Sequence, residues 1–569
     1  MAPVGRKRKA VHDDAAEDNK AAAAPKRAAT RGRRVGSSQA STAATTKASL
    51  ATATDSVVTT ITEPDTDFSP TENGVHEKET TIEAKTNGKQ VKTAEAEPNP
   101  AVTKANGFDS KRDEHAVPYK LRKTTGRVIV PIPRLKTEPL NVYVFGTGSM
   151  SELGLGPDAK NKEVKRPRLN PYLDSSKVSI VDFAVGGAHV IAIDKDGKLW
   201  SWGCNDHGAL GRNTTSGDAA TLRDIDADDD DDDGDLNPSE STPAKVEDLP
   251  SDLVFVQVAA SDNLSLALTS EGRIWAWGTF RCNEGVLGFN EHVEFQRQPV
   301  QVIVPYAVGQ IVAGKDHVMA LTTTGRVYSW GNGQQFQLGR RVMDRAKMQS
   351  LVPREFGIKN IKFIGSGEFH AFAIDSSGRV MAWGLNQFGQ CGIPSEGAGE
   401  DGAVVTSPTY IDALATKDII YITGGEHHSV ALSSTGELYV FGRIDSSEIG
   451  IEKDLVPDAV VKDEGGHPRF LPIPTKLVVE DDGDNEVSFK FIGCGSHHNI
   501  ALAKDGSAWS WGFGETYQVG QGPAGEDVEV PTKIENTATR GIDMMITGAG
   551  GQFSVLGGTA SKDRGAHEG

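Results

Sequence analysis

Between residues 140 and 558 one arrangement of apolar and polar positions recurs. It runs through a short apolar strand, a Gly-x-x-His turn or a relative of it, an alternating strand, a glycine turn, an aromatic-x-Trp-Gly strand and a Leu-Gly. Six copies are complete, among them VAGKDHVMALTTTGRVYSWG ending at Gly331 and IGSGEFHAFAIDSSGRVMAWG ending at Gly384; the others end at Gly203, Gly278, Gly442 and Gly512. Within a copy the apolar residues alternate with period two, as in Arg273-Ile274-Trp275-Ala276-Trp277, which predicts strands rather than helices. A seventh copy is divided: LNVYVFG at 140–146 carries only the second half, and MMITGAGGQFSVLGG at 544–558 only the first. A small antiparallel sheet cannot hide its apolar face alone, whereas repetition around a ring leaves only short, protected edges. The pattern therefore predicts an all-β chain: a seven-bladed β-propeller over 140–558, closed by pairing of its N- and C-terminal strands.

Successive aromatic-Gly pairs are 57, 75, 53, 53, 58 and 70 residues apart, so insertions lie between cores of fixed length. All eight tryptophans fall in the aromatic-Gly strands, which marks most Trp, Gly and Leu-Gly positions as scaffold. The repeat histidines His189, His317, His370, His428 and His498 read first as side chains that pin a blade by bonding nearby backbone. Function must be carried by residues the repeat does not need.

Composition separates the ends from this core. Residues 1–135 contain only three aromatics, Phe68, Phe108 and Tyr119, too little apolar surface to offset chain entropy, and are predicted to be disordered. Residues 559–569 read as a short disordered tail. The formal charge is −18, but residues 1–34 hold ten basic residues against four acidic ones, about +6, which leaves about −24 on the remainder. The basic residues Arg6, Lys7, Arg8, Lys9, Lys26, Arg27, Arg31, Arg33 and Arg34 are the concentrated block; such clusters neutralise DNA phosphates without sequence preference and also read as a nuclear import signal. At the other extreme, 224–235 holds nine aspartates in twelve positions and reads as a solvated insertion between strands.

Several function classes are excluded on this reading. No stretch approaches the roughly 18 apolar residues a membrane helix needs, and no hydrophobic region follows the basic start as in a secretory signal. Cys204, Cys282, Cys391 and Cys494 lie far apart with no Cys-x-x-Cys, against a disulfide framework or a zinc site, and no metal or cofactor is expected. Gly331-Asn332-Gly333 lacks the following Gly-Lys-Ser/Thr of a phosphate loop.

Over essentially all of 140–558 the repeat resembles that of the regulator of chromosome condensation family. Three segments are similar, more particularly, to the fungal members that exchange nucleotide on the GTPase Ran: Asn141–Gly148 running to Glu152-Leu153-Gly154, Trp277–Gly288, and Ala313–His317 leading to Gln337–Met343. The resemblance implies a guanine-nucleotide exchange factor that makes and breaks no covalent bond and acts in the nucleus on chromatin. Its implied partners are Ran, chromatin (the nucleosome, and DNA through the basic tail), and a nuclear import receptor. It implies that Phe280, Arg281, Asn283, Glu284, Gly285 and Val286 form a wedge pressed on the GTPase, projecting from its blade. Asp316 would be the principal exchange acid, Asp262 and Glu291 two further acids, Arg340 a partner-binding arginine, and His427 or His428 the interface histidine. Phe553 stands where the last repeat would have its His, and Gly389 where relatives carry another interface histidine. The alternative is a non-catalytic propeller scaffold for chromatin or protein partners, which has no reason to keep Phe280–Val286, Asp316 and Arg340 together.

Overall fold

A computed structural model describes residues 128–215, 235–394, 403–452 and 455–560. Among them, apart from one two-stranded hairpin, the strands form seven blade sheets in a ring. Each has four strands; blade 5 gains a fifth, Val461–Lys462, outside Pro468–Leu477. Blade 1 shows the plan: Ile180–Val185 innermost, then His189–Asp194, Leu199–Gly203 and the outer Ala244–Lys245. Blade 7 is the divided copy. The strand Asn141–Thr147 pairs on one side with Phe553–Ala560 and on the other with Glu163–Leu169, so the beginning of the ring is locked into its end. The last strand runs to Ala560, slightly beyond the boundary expected at 558.

The repeat's small residues sit where side chains would collide. In Gly-x-x-His the glycine faces the imidazole: a Cβ at Gly367 would stand 2.1 Å from His370 Cε1. In Trp-Gly the glycine has positive φ, +108° at Gly331, and a Cβ there would lie 2.6 Å from the Asp316 carbonyl oxygen.

Blades are fastened to their neighbours by hydrogen bonds from the same motifs. The indole N–H of Trp202, Trp277, Trp383 and Trp511 donates to the carbonyl of Glu152, Ala209, Gln337 and Glu448, each in the Leu-Gly or Ile-Gly turn of the preceding blade. The repeat histidines reach across the same junctions, to Ser265 from His189, Ser429 from His370, Asn499 from His428 and Ser554 from His498, at 2.7–2.9 Å. Their partners are thus side chains of the next blade, not nearby backbone as expected. His317 faces Ala371 at the corresponding place and uses Ser366 instead, at 3.2 Å. Where the histidine is replaced, so is its partner: Phe553 shares a core cluster with Val190, and Leu264 with Val318. This accounts for the departure at Phe553.

Residues 128–135, expected to belong to the disordered tail, are packed. Val130 is buried and its N–H donates to Thr323, Ile132 and Leu135 pack on the core, and Lys136 pairs with Asp182 at 2.9 Å. Residues 1–127 and 561–569, with the basic block Arg6–Arg34, lie outside the described residues, as do 216–234, which take in all of the Asp-rich segment 224–235 except Asp235.

The polar-with-polar rule at the junctions predicts a double-mutant outcome. Ser429→Ala strands the buried His370 Nε2 and should cost about 1–3 kcal/mol in denaturant unfolding. Combining His370→Leu with Ser429→Val, which copies the Leu264/Val318 junction, should recover most of that loss; simple addition of two losses would contradict it.

Candidate functional site

Strand order places the candidate residues on one end of the ring. In every blade the first-to-second and third-to-fourth connections share an end, and the glycine turns lie at the other. Asp262, Asp316 and His427 are in first-to-second connections, while the Phe280–Val286 segment, Glu291 and Arg340 are in third-to-fourth connections. The chain enters the propeller at the opposite end, where Val130 meets the Thr323 turn.

The wedge segment is a two-stranded hairpin, Phe280–Cys282 against Gly285–Gly288. Its base does not project as expected: Phe280 is fully buried, in the core between blades 2 and 3. The exposed part is Arg281, Asn283 and Glu284, with Gly285 at a tip where a Cβ would meet nothing within 4 Å. Blade 3 braces the hairpin. Asp316 Oδ1 accepts the Arg281 backbone N–H at 2.8 Å, Gln334 Oε1 accepts the Asn283 N–H at 2.9 Å, and Lys347 lies 3.5 Å from Glu284. Asp316 is itself only 8% exposed. Burial pushes its carboxyl up to about 6, against the opposing pull of the Arg281 N–H.

From Asp316 a line of charged groups crosses the mouth of the central channel. Lys315 lies 3.7 Å from Asp262 and 3.0 Å from Glu368; His497 lies 3.1 Å from Glu426 and 3.3 Å from the fully buried Glu448. Burial raises Asp262 although Lys315 pulls it down. Burial opposes protonation of His497, yet Glu426 and Glu448 hold it charged up to about 9. Backbone bonds carry these loops in register: Asp262 N–H to Lys315, Lys315 to Glu368, Glu368 to Gly425 and Glu426 to Ser496. Sequence reasoning missed Lys315, Glu368, Glu426 and His497 as site residues. The signal was present: Asp262, Lys315, Glu368 and Glu426 all occupy the position just after the first residue of the four-residue turn.

Burial separates the two candidate histidines. His428 is a strand residue buried against Asn499, whereas His427 lies partly exposed beside Glu426. Two candidates stand apart from the cluster. Glu291 is exposed and pairs with its neighbour His292. Arg340 bonds the Ser329 carbonyl at 3.4 Å, the contact Arg212 makes with Ser201 in blade 1, so it occupies a repeat position. Among the described residues no group of three or more His, Cys, Asp or Glu is placed to hold a metal ion.

Residues 141–556 match the family model described as an RCC1-like domain. The chain is 50% identical over 444 residues to the guanine nucleotide exchange factor SRM1 of Saccharomyces cerevisiae, covering 76% of this chain and 90% of that protein. It is similar to the crystal structure of Prp20p from Saccharomyces cerevisiae, a protein described by its binding to Gsp1p and histones, with TM-score 0.68, 48% identity and coverage of 76% and 94%. Yeast RCC1 (Prp20) bound to Kap60 matches with TM-score 0.70 at 47% identity, covering 80% of this chain and 97% of that one.

Two stability predictions follow from the hairpin. Phe280→Ala should cost about 3–5 kcal/mol, as for other buried aromatics, while Glu284→Ala should stay within about 0.5 kcal/mol; equal melting temperatures would contradict the buried base. Asp316 has a raised folded-state pKa, so its stabilising contribution is present at low pH and lost as pH rises through about 6. Asp316→Asn, which keeps an oxygen for the Arg281 N–H, should therefore melt like the parent near pH 4 and above it near pH 8. A variant that melts below the parent at high pH would contradict this.

Proposed function

The chain belongs to the RCC1-like family of regulators of chromosome condensation, and on that premise we propose that it is a guanine-nucleotide exchange factor for the small GTPase Ran. The observation that carries the reading is the half identity to an exchange factor across nearly the whole of that protein's length.

Exchange requires coupling rather than covalent chemistry. A propeller that binds the nucleotide-free GTPase better than the loaded form must, by linkage, loosen the nucleotide by the same factor. A shift of about 10⁴ in nucleotide affinity takes roughly 5.5 kcal/mol of differential binding. On this reading the hairpin tip Arg281–Val286 inserts against the GTPase and the carboxylates at the channel mouth, Asp262 and Asp316, compete with phosphate and magnesium for its cationic and switch residues. Because Asp316 also ties down the Arg281 backbone, it acts in two ways: it presents charge and it fixes the wedge. His427 completes the face from blade 5. Glu291 and Arg340 contribute at its periphery.

By the same likeness the chain acts in the nucleus, on chromatin. Histones and an import receptor are its further partners, and the basic residues Arg6–Arg34 serve import and DNA binding. Entry of the chain at the end opposite the wedge leaves the exchange face clear of the tail's attachment point.

Release of a fluorescent nucleotide from Ran tests the reading. Asp316→Asn should slow stimulated release about tenfold or more without loss of melting temperature, while Asp375→Ala, an acid at the opposite end bonded to Arg379, should release at the parental rate. Parental rates for both variants would overturn the role given to Asp316, and no stimulated release by the parent chain would return it to the scaffold reading. Deletion of residues 1–34 should spare exchange, abolish nuclear accumulation and flatten the salt dependence of DNA binding; an unchanged salt slope would remove DNA binding from this segment.

A further inference from the structure

In blades 3 to 6 the turn that meets the next blade's aromatic-Gly residue (Trp383, Phe441, Trp511 and Phe145 in turn) carries a buried Gln or Glu. Its side-chain oxygen accepts the N–H of the residue two before it: Gln337 from Gln335, Gln390 from Phe388, Glu448 from Ser446 and Gln518 from Thr516, at 2.8–3.1 Å. The second polar atom of each group is left for the following blade. In blade 6 that neighbour is His497, whose Nδ1 lies 3.3 Å from Glu448 Oε1. In blade 5 it is His427, whose Nδ1 lies 3.4 Å from Gln390 Nε2. In blade 4 it is Phe369, and Gln337 Nε2 has no partner there.

The two histidines therefore occupy equivalent places with opposite chemistry behind them. The Phe388 N–H fixes the oxygen of the Gln390 amide, so its nitrogen, which can only donate, faces His427. Nδ1 of His427 must then accept, and the ring's hydrogen sits on Nε2, 3.8 Å from Glu426 Oε1. Phe388 covers the ring at 4.8 Å between centroids. Phe388 is itself gripped by Arg443 and Arg469, whose guanidinium carbons lie 5.2 and 5.8 Å from its centroid and which Asp445 holds at 3.0 and 3.6 Å.

We propose that Gln390, with Phe388, is a positioning residue for His427: its amide holds that imidazole with the hydrogen on Nε2 and so sets the charge that blade 5 presents to a bound GTPase. The proposal rests on the reading of this face as the exchange site. The charged groups facing the ring are Glu426 on its own loop, Arg443 at the end of its own blade's third strand, His497 from blade 6 and Glu368 from blade 4. Burial, Arg443 and His497 depress protonation of His427, and Glu426 and Glu368 oppose them. A carboxylate in place of the Gln390 amide would reverse the balance, as Glu448 does for His497.

The test uses the full chain with isotope-labelled histidine, His427→Gln to assign the resonance, and two reciprocal variants. Gln390→Glu should raise the titration midpoint of His427 by roughly one unit or more and move the pH profile of nucleotide release in the same direction. Glu448→Gln should lower the midpoint of His497, and it decides the same principle should Gln390→Glu fail to fold. An unmoved His427 midpoint in a folded Gln390→Glu protein, or an unmoved His497 midpoint in Glu448→Gln, overturns the positioning role. Parental release by His427→Gln, with both midpoints moving as expected, instead overturns the assignment of His427 to the exchange face.

Discussion

The cluster at the mouth of the channel depends on hydrogen bonds that pass from one blade to the next. The indoles of Trp202, Trp277, Trp383 and Trp511 and the repeat-His imidazoles find their partners in the neighbouring sheet, so each blade depends on its neighbours to satisfy these buried groups. Closure through Asn141–Thr147 turns this chain of dependencies into a ring with no free end. The site needs that ring: Asp262, Asp316, Glu368, Glu426 and His497 come from five consecutive blades, and their spacing is set by junction geometry rather than by local sequence.

Within that frame the hairpin at Phe280–Gly288 is anchored in the core at its base and braced by blade 3 near its tip. Phe280 is core, Asp316 and Gln334 bind the N–H groups of Arg281 and Asn283, and Gly285 at the turn leaves open space around it. A wedge that pushes on a partner must not yield, and the buried base with a charged brace meets that requirement. Under the proposed function Asp316 has two uses that offset the burial raising its pKa: one oxygen holds the hairpin backbone, and the carboxylate presents charge to the partner.

The fold was legible because its period is long and its marks are absolute. A glycine facing an imidazole, or with positive φ against a carbonyl, leaves a signature that no other residue can give, and the divided seventh copy reveals closure. What the sequence hid was depth. Phe280 and Arg281 are adjacent in a strand, and alternation alone does not say which one faces the core when the hairpin leaves the blade. His427 and His428 were likewise separable only through Asn499, a partner 71 residues away from His428. The packing of 128–135 went unseen because a short apolar run in an Ala- and Lys-rich segment has no periodicity of its own. Lys315, Glu368 and Glu426 were readable in principle from their shared place in the turn, but their pairing requires knowing that the blades close into a ring.

The central claim is that binding energy, not bond chemistry, drives nucleotide release. The most direct measurement is the affinity of the full chain for Ran in its nucleotide-free and nucleotide-loaded forms at one salt concentration. The account predicts far tighter binding to the nucleotide-free form, by the same factor that the propeller weakens nucleotide. Equal affinity for the two forms would contradict it, whatever the propeller binds.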